Sequence, residues 1–156
     1  MPHSIYYRFS QRFSVPAAKA YEWCTYYDPQ DHALMRANAK REIVHISEDR
    51  ILLIDTYYNK NEKVTKQKLV CLYPNRLLWT STHLTGPNKY SQFLYEIVPE
   101  SKRVCHLDFT GMQIEHNNGK TLSKKEIKTL ARRLKKEDSA AWRLLAAAME
   151  REFTEK

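Results

Sequence analysis

The feature that most narrows the fold of this chain is six short β-rich runs set at hairpin spacing, followed by one long amphipathic helix. The runs cover 41–47, 50–58, 64–73, 77–84, 90–98 and 104–114, and are rich in Val, Ile, Leu, Thr and aromatic residues. Turn chemistry separates them: Glu48-Asp49, the stretch 59–62, Pro74-Asn75, Gly86-Pro87-Asn88 and the stretch 99–102. Each gap is too short to hold a crossover helix, so the runs predict an antiparallel meander and not βαβ units. Apolar residues occur on both faces of the central runs, which leaves open which face of each points inward.

A further strand and two short helices precede the meander. In 4–13, Ile5, Tyr7, Phe9 and Phe13 alternate with Tyr6, Arg8, Ser10 and Arg12, the pattern of a half-buried strand. Pro16 opens a short helix through Ala17, Ala18, Ala20, Tyr21 and Cys24, where its missing N–H does no harm. Asp28-Pro29 breaks that helix, and 30–37 has the composition of a second.

The polar loop 115–121 leads to Ser123, with Glu126 three residues on, a capping box. From there a helix is predicted towards Phe153. Ile127, Leu130, Ala131, Leu134, Ala141, Trp142, Leu145, Ala148 and Met149 share one of its faces. Glu137-Asp138-Ser139 is the one place where it can divide, Ser139 capping a second segment; a single helix is the preferred reading.

Length and composition fit a single domain over 1–156. A chain of 156 residues with 42% apolar content builds a core without staples. Three cysteines without a CxxC spacing read as buried thiols in a reducing compartment. No apolar h-region precedes Ser14, and no apolar run approaches the ~20 residues of a membrane span. These signals predict a cytoplasmic protein with no transmembrane segment; they are silent on oligomeric state.

Charge is concentrated. Between Lys120 and Lys136 stand eight basic residues and one acid, Glu126, so this block carries nearly all of the net charge of +8. On the helical wheel Lys125, Arg132, Lys136 and Arg143 lie within about 40° of one another, opposite the apolar face. Such a stripe suits an anionic surface, a nucleic acid or an acidic headgroup. A solvated face that serves solubility is the commoner reason for one.

The order of elements is strand, Pro-started short helix, second short helix, antiparallel run and long C-terminal helix. It resembles the SRPBCC helix-grip superfamily of START, Bet v 1-like and polyketide cyclase-like domains. The local likeness is carried by Phe13-Ser-Val-Pro16 through Ala20-Tyr21 to Asp28, and by the Leu-rich stripe of 142–152. The resemblance implies an α+β fold in which a seven-stranded curved antiparallel sheet wraps the last helix, with a ligand cavity between them. It covers lipid carriers, metabolite binders and cyclases or dehydratases alike, so it does not choose among activities. The chain departs from common members in its three glycines and in the basic first half of its last helix.

Pocket candidates follow from charge and polarity in apolar phase. Asp138 lies within about 20° of Ile127 and Leu145 on the wheel, in the middle of the face that packs on the sheet. A lone buried carboxylate there costs several kcal/mol, roughly, so it requires a partner, cavity water or a helix break. Asp55 with Tyr57, Ser81 and His83 with Trp79, and His106 with Asp108 each share a strand face. Tyr57, Trp79, His83, Asp108, Asp138 and Trp142 are therefore the candidate lining residues, each against the plainer reading of an outward or purely packing position. No HxH, HxxxH or HExxH spacing occurs among the six histidines, no GxSxG is present, and no Gly-rich loop cradles a phosphate. Neither a metal nor another cofactor is called for.

Three functions fit. The first is binding or carriage of a small apolar ligand, a lipid or aromatic metabolite. The second is a cyclase or dehydratase in which Asp138, His83 or Asp108 moves protons. The third is binding of nucleic acid or an anionic surface by the outer basic stripe.

Overall fold

The computed structural model describes residues 2–116 and 119–154. Strand β1 (Pro2–Phe13) is followed by helices α1 (Ala17–Thr25) and α2 (Asp31–Leu34). Six strands come next: β2 (Ala39–Ser47), β3 (Arg50–Asn59), β4 (Glu62–Tyr73), β5 (Leu78–His83), β6 (Gln92–Pro99) and β7 (Cys105–His116). Helix α3 (Lys124–Thr154) closes the chain. The expected strands are all present, with ends displaced by a few residues. The second short helix is shorter than its composition predicts, four residues in place of eight. Of the predicted polar loop, Asn117 and Asn118 lie outside the described residues, and Glu115 and His116 extend β7.

The strands form one sheet in the order β1-β7-β6-β5-β4-β3-β2, every neighbour antiparallel. The meander thus runs outward to β2, and the N-terminal strand returns to pair with β7, as the α+β helix-grip arrangement requires. Sheet parity then follows from the register. Ile5, Tyr7 and Phe13 of β1, Ile51, Leu53 and Asp55 of β3, and Leu107 and Phe109 of β7 are all buried on the inner face. Their odd-numbered alternation is a period of two, with one face towards the helix.

Helix α3 is continuous for 31 residues, about 46 Å at 1.5 Å per residue. Its start is the predicted capping box: Glu126 N–H donates to Ser123 Oγ at 3.1 Å, and Ser123 N–H donates to Glu126 Oε2 at 3.1 Å. Ser139 does not cap a second segment. Its hydroxyl donates back to the carbonyl of Lys135, one turn earlier, so the helix passes through Asp138 unbroken. Leu134, Leu145, Ala146, Ala148 and Met149 are its buried residues. The densest packing surrounds the C-terminal half of α3, where Phe13, Val15, Ala20, Leu107 and Met149 belong to one apolar cluster. No described helix is long and apolar enough to cross a membrane.

Candidate functional site

Between the inner face of the sheet and the middle of α3 lies a cavity of about 400 Å³. Its floor comes from all seven strands, with Arg41 the contribution of β2, its roof from Asp138, Ala141, Trp142 and Leu145 of α3, and one wall from α1 and α2. Of the residues singled out in the sequence, Tyr57, Trp79, His83, Asp138 and Trp142 all line this space. Asp108 does not, and this corrects the expectation. β7 turns its odd-numbered residues inward, so Asp108 stands on the outer face, where it accepts a hydrogen bond from Ser10 Oγ at 2.6 Å. His106 shares that outer face and lies 3.4 Å from Asp108 and 3.1 Å from Glu100.

One side of the cavity is aromatic. Trp79 and Tyr95 stack face to face with ring centres 4.8 Å apart, and Trp142 closes over Tyr95 at 5.9 Å. Phe109 packs edge-on against Tyr95 at 5.3 Å and stacks on Phe9 at 4.5 Å. Trp79, Tyr95, Phe109 and Trp142 thus give the cavity an aromatic wall of the kind that receives a ring system, with Phe9 packed behind Phe109.

The other side is polar, and much of it was not singled out from the sequence. Asp55, fully buried, accepts from Arg41 through two bonds, Nε at 2.8 Å and Nη2 at 2.9 Å. Lys68 Nζ lies 2.8 Å from the same carboxylate and donates to the Tyr57 hydroxyl at 2.7 Å. Arg41 also donates to Asp31 at 3.1 Å. His32 Nε2 stands 3.2 Å from Asp55 Oδ1 without the alignment of a good hydrogen bond. Burial alone would raise the Asp55 carboxyl, but the bonds from Arg41, the close approach of His32 and the Lys68 charge win and hold it well below the usual carboxylate range. Two cations and two carboxylates thus neutralise one another.

Above this cluster Asp138 meets Tyr7. The Tyr7 hydroxyl donates to Asp138 Oδ2 at 2.5 Å, which supplies the partner that a carboxyl on the helix's inner face requires. Burial raises the Asp138 carboxyl, the Tyr7 bond offsets part of that, and Glu137 adds to the rise. Burial, then the Asp138 charge, raises Tyr7 far above an ordinary phenol. Gly111 makes the meeting possible: a Cβ there would lie 2.7 Å from the Tyr7 ring, so only glycine lets the ring lie flat over β7.

Two more groups complete the polar side. His83 is 8% exposed, and its Nδ1 has no hydrogen-bond partner among the described residues. Burial, with the charges of Lys68 and Lys66 beside it, pushes its pKa down to about 3, so the ring is neutral at physiological pH. Lys66, half-buried, has Asn88 Oδ1, at 3.5 Å, as its one hydrogen-bond partner among the described residues. Its ammonium is pushed down by burial and by Lys68. The signal for both lysines was present in β4, where Lys66 and Lys68 are in phase with Val64 and the fully buried Val70.

Outside the cavity, Lys125, Arg132, Lys136 and Arg143 are all exposed on the far face of α3. Among the described residues, none of the four lies within 4.0 Å of a carboxylate, and no group of three or more His, Cys, Asp and Glu side chains is placed to hold a metal ion.

No family model matches the chain, and no curated protein matches its sequence. Solved structures do match its fold. The Zhui aromatase/cyclase from Streptomyces sp. R1128 superposes with a TM-score of 0.78 at 14% identity, over 96% of this chain and 95% of that one. Norcoclaurine synthase from Thalictrum flavum, solved with dopamine and hydroxybenzaldehyde, gives 0.65 at 14% identity over 99% and 88%. A START superfamily protein from Mycobacterium smegmatis gives 0.64 at 12% over 94% of each chain. At such identities the likeness is one of fold.

Proposed function

We propose that this chain, whose fold is the helix grip shared by START, Bet v 1-like and polyketide cyclase-like proteins, is a single binding domain over 1–156 for a small ring-bearing ligand. The observation that carries the reading is the cavity of about 400 Å³ with an aromatic wall facing a polar one. Its size suits a small organic molecule, and its few polar groups converge as specificity groups do in such sites. Tyr57, Trp79, His83, Asp138 and Trp142 are the proposed contacts, the tryptophans for the rings and the others for polar substituents. Similarity in fold to an aromatase/cyclase and to a synthase solved with two aromatic molecules favours an aromatic metabolite over an acyl chain. Free Cys24, Cys71 and Cys105 suit a reducing, cytoplasmic setting.

Native mass spectrometry of freshly purified protein tests this. A co-purifying mass, lost on denaturation, is the expected result. No bound mass, together with no thermal shift across a panel of aromatic acids, phenols and fatty acids, would sink the reading.

A cyclase or dehydratase reading is favoured by one observation, the placing of Asp138, Tyr7 and His83 on the same cavity. There Asp138, with the Tyr7 hydroxyl bonded to it, is the group placed to exchange a proton with a bound substrate, and His83 offers it a neutral hydrogen-bonding nitrogen. Loss of turnover with retained ligand binding in Asp138→Asn is the result that distinguishes catalysis from carriage. The reading of the outer stripe as an anion-binding surface has its own check. Replacing Lys125, Arg132 and Lys136 with glutamate is expected to abolish salt-dependent retention on heparin, and unchanged retention removes it.

A further inference from the structure

A count of which charges have partners goes further than shape does. On the inner face of the sheet, Arg41 and Lys68 are satisfied by Asp55 and Asp31. Asp138 is held by the Tyr7 hydroxyl. Lys66 alone of the cavity's cations has no carboxylate within 4.0 Å among the described residues. Its hydrogen bond is to a neutral amide oxygen, Asn88 Oδ1, at 3.5 Å, and its ammonium stands 5.5 Å from the centre of the Tyr57 ring. Asp55, Asp138 and Glu115 act on it only from beyond ion-pair distance, while Lys68, two residues along the same strand face, repels it.

Such an arrangement is costly for a neutral occupant. An apolar molecule filling the cavity would take water from the Lys66 ammonium and give nothing back. An anionic oxygen replaces that water and meets an ammonium that no carboxylate contacts, in a low-dielectric space where a charge-assisted bond is strongest. Nearby, the Nδ1 of buried His83 is a second polar atom without a hydrogen-bond partner among the described residues. β-sheet register sets Lys68 directly opposite His83, so Lys66 and His83 lie diagonally across the β4–β5 pair on one face.

We propose that the molecule taken into this cavity carries an anionic oxygen, a carboxylate or a phenolate, received by the Lys66 ammonium while its rings lie against Trp79, Tyr95 and Trp142. The inference rests on the binding reading above and names the class of ligand. His83 then supplies a neutral hydrogen-bonding nitrogen to a second oxygen of the same molecule.

Three naphthalene probes test it by fluorescence titration: 2-naphthoate, its neutral counterpart 2-naphthalenemethanol, and 2-naphthol. The wild-type chain is expected to bind 2-naphthoate about tenfold or more tightly than the alcohol, the scale of a bond to a charged group. Lys66→Met is expected to erase that preference while leaving the alcohol's affinity within about twofold, and Lys66→Arg to restore most of it. The absorbance of bound 2-naphthol distinguishes a phenolate partner from a carboxylate one. In the empty protein Lys66→Met is expected to melt no lower than wild type, since it removes a charge without a partner. Equal affinity for naphthoate and alcohol in the wild type, or a preference that survives in Lys66→Met, overturns the anion assignment and leaves the pocket standing. A marked fall in melting temperature for both Lys66→Met and Lys66→Gln would make Lys66 a structural ion and also overturn it. Binding of none of the probes overturns the pocket reading itself.

Discussion

The two sides of the concave sheet have the same backbone and opposite chemistry. On the β5–β6–β7–β1 side, Trp79, Tyr95, Phe109 and Phe9 fill space by stacking, and the layer between sheet and helix is held by apolar contact. On the β2–β3–β4 side, Arg41, Asp55, Lys66 and Lys68 project into the same layer. Ionic groups cannot pack as densely against a helix face as rings do, because each keeps a polar neighbour or water. The cavity therefore opens against the polar side, and the aromatic side gives it an apolar wall. A sheet that were aromatic throughout would close on α3; one that were ionic throughout would not hold it.

The largest test of that contrast is Asp55→Asn. It keeps the shape and removes the charge that neutralises Arg41 and Lys68, and is expected to cost about 3–5 kcal/mol in urea or thermal unfolding. A loss of under about 1 kcal/mol would mean that water, and not Asp55, carries the cations. Acid should act similarly. Against the pull of burial, the folded pKa of Asp55 is lowered by its bonds to Arg41, by the approach of His32 and by Lys68. Its contribution is thus fully present above the unfolded value of 3.8 and is lost as pH falls towards the folded one.

Gly111→Ala sharpens the comparison at the seam between the two sides. The added methyl meets the Tyr7 ring, so a loss of about 1–3 kcal/mol is expected, with a weakened Tyr7–Asp138 contact. Near-UV circular dichroism, which reads tyrosine packing, should change with it. An unaltered spectrum and unaltered stability would show that the ring has room to move.

Asp138→Asn is the gentlest change, roughly 1 kcal/mol or less, because the amide oxygen still accepts from Tyr7. Its sign with pH is the informative part. Burial, more than the Tyr7 bond offsets, raises the folded pKa of Asp138. Its neutral form is favoured by folding, so that stability is fully present below the unfolded value of 3.8 and is lost as pH rises through the folded one. The asparagine variant should therefore gain on wild type as pH rises from mild acid to neutral. Parallel stability curves would place Asp138 in water.

Element order, the capped last helix and the inward face of β1 were legible because they depend on local patterns: alternation, turn residues and a Ser-x-x-Glu spacing. Part of the site was legible for the same reason. Asp138 stands out because a carboxylate in apolar phase requires a partner, and Trp79 and His83 because they share a strand face. The turn at Asn59–Glu62 carries its register without a break to the opposition of Asp55 and Lys66. Asp108 was misplaced because a strand with apolar residues on both faces does not announce its parity.

What the sequence determined by itself is the sheet-plus-helix architecture, since period and turn chemistry act over a few residues. Tertiary structure decided the polar side of the cavity. Between β2 and β3 the register shifts at His45/Ser47, a bulge one residue long. A hairpin continued regularly from the Glu48-Asp49 turn would set Arg41 opposite Thr56 on the outer face. The bulge sets it opposite Asp55 on the inner one. Side-chain direction alternates with every residue, so a single inserted position reverses the face of all that precedes it in the strand.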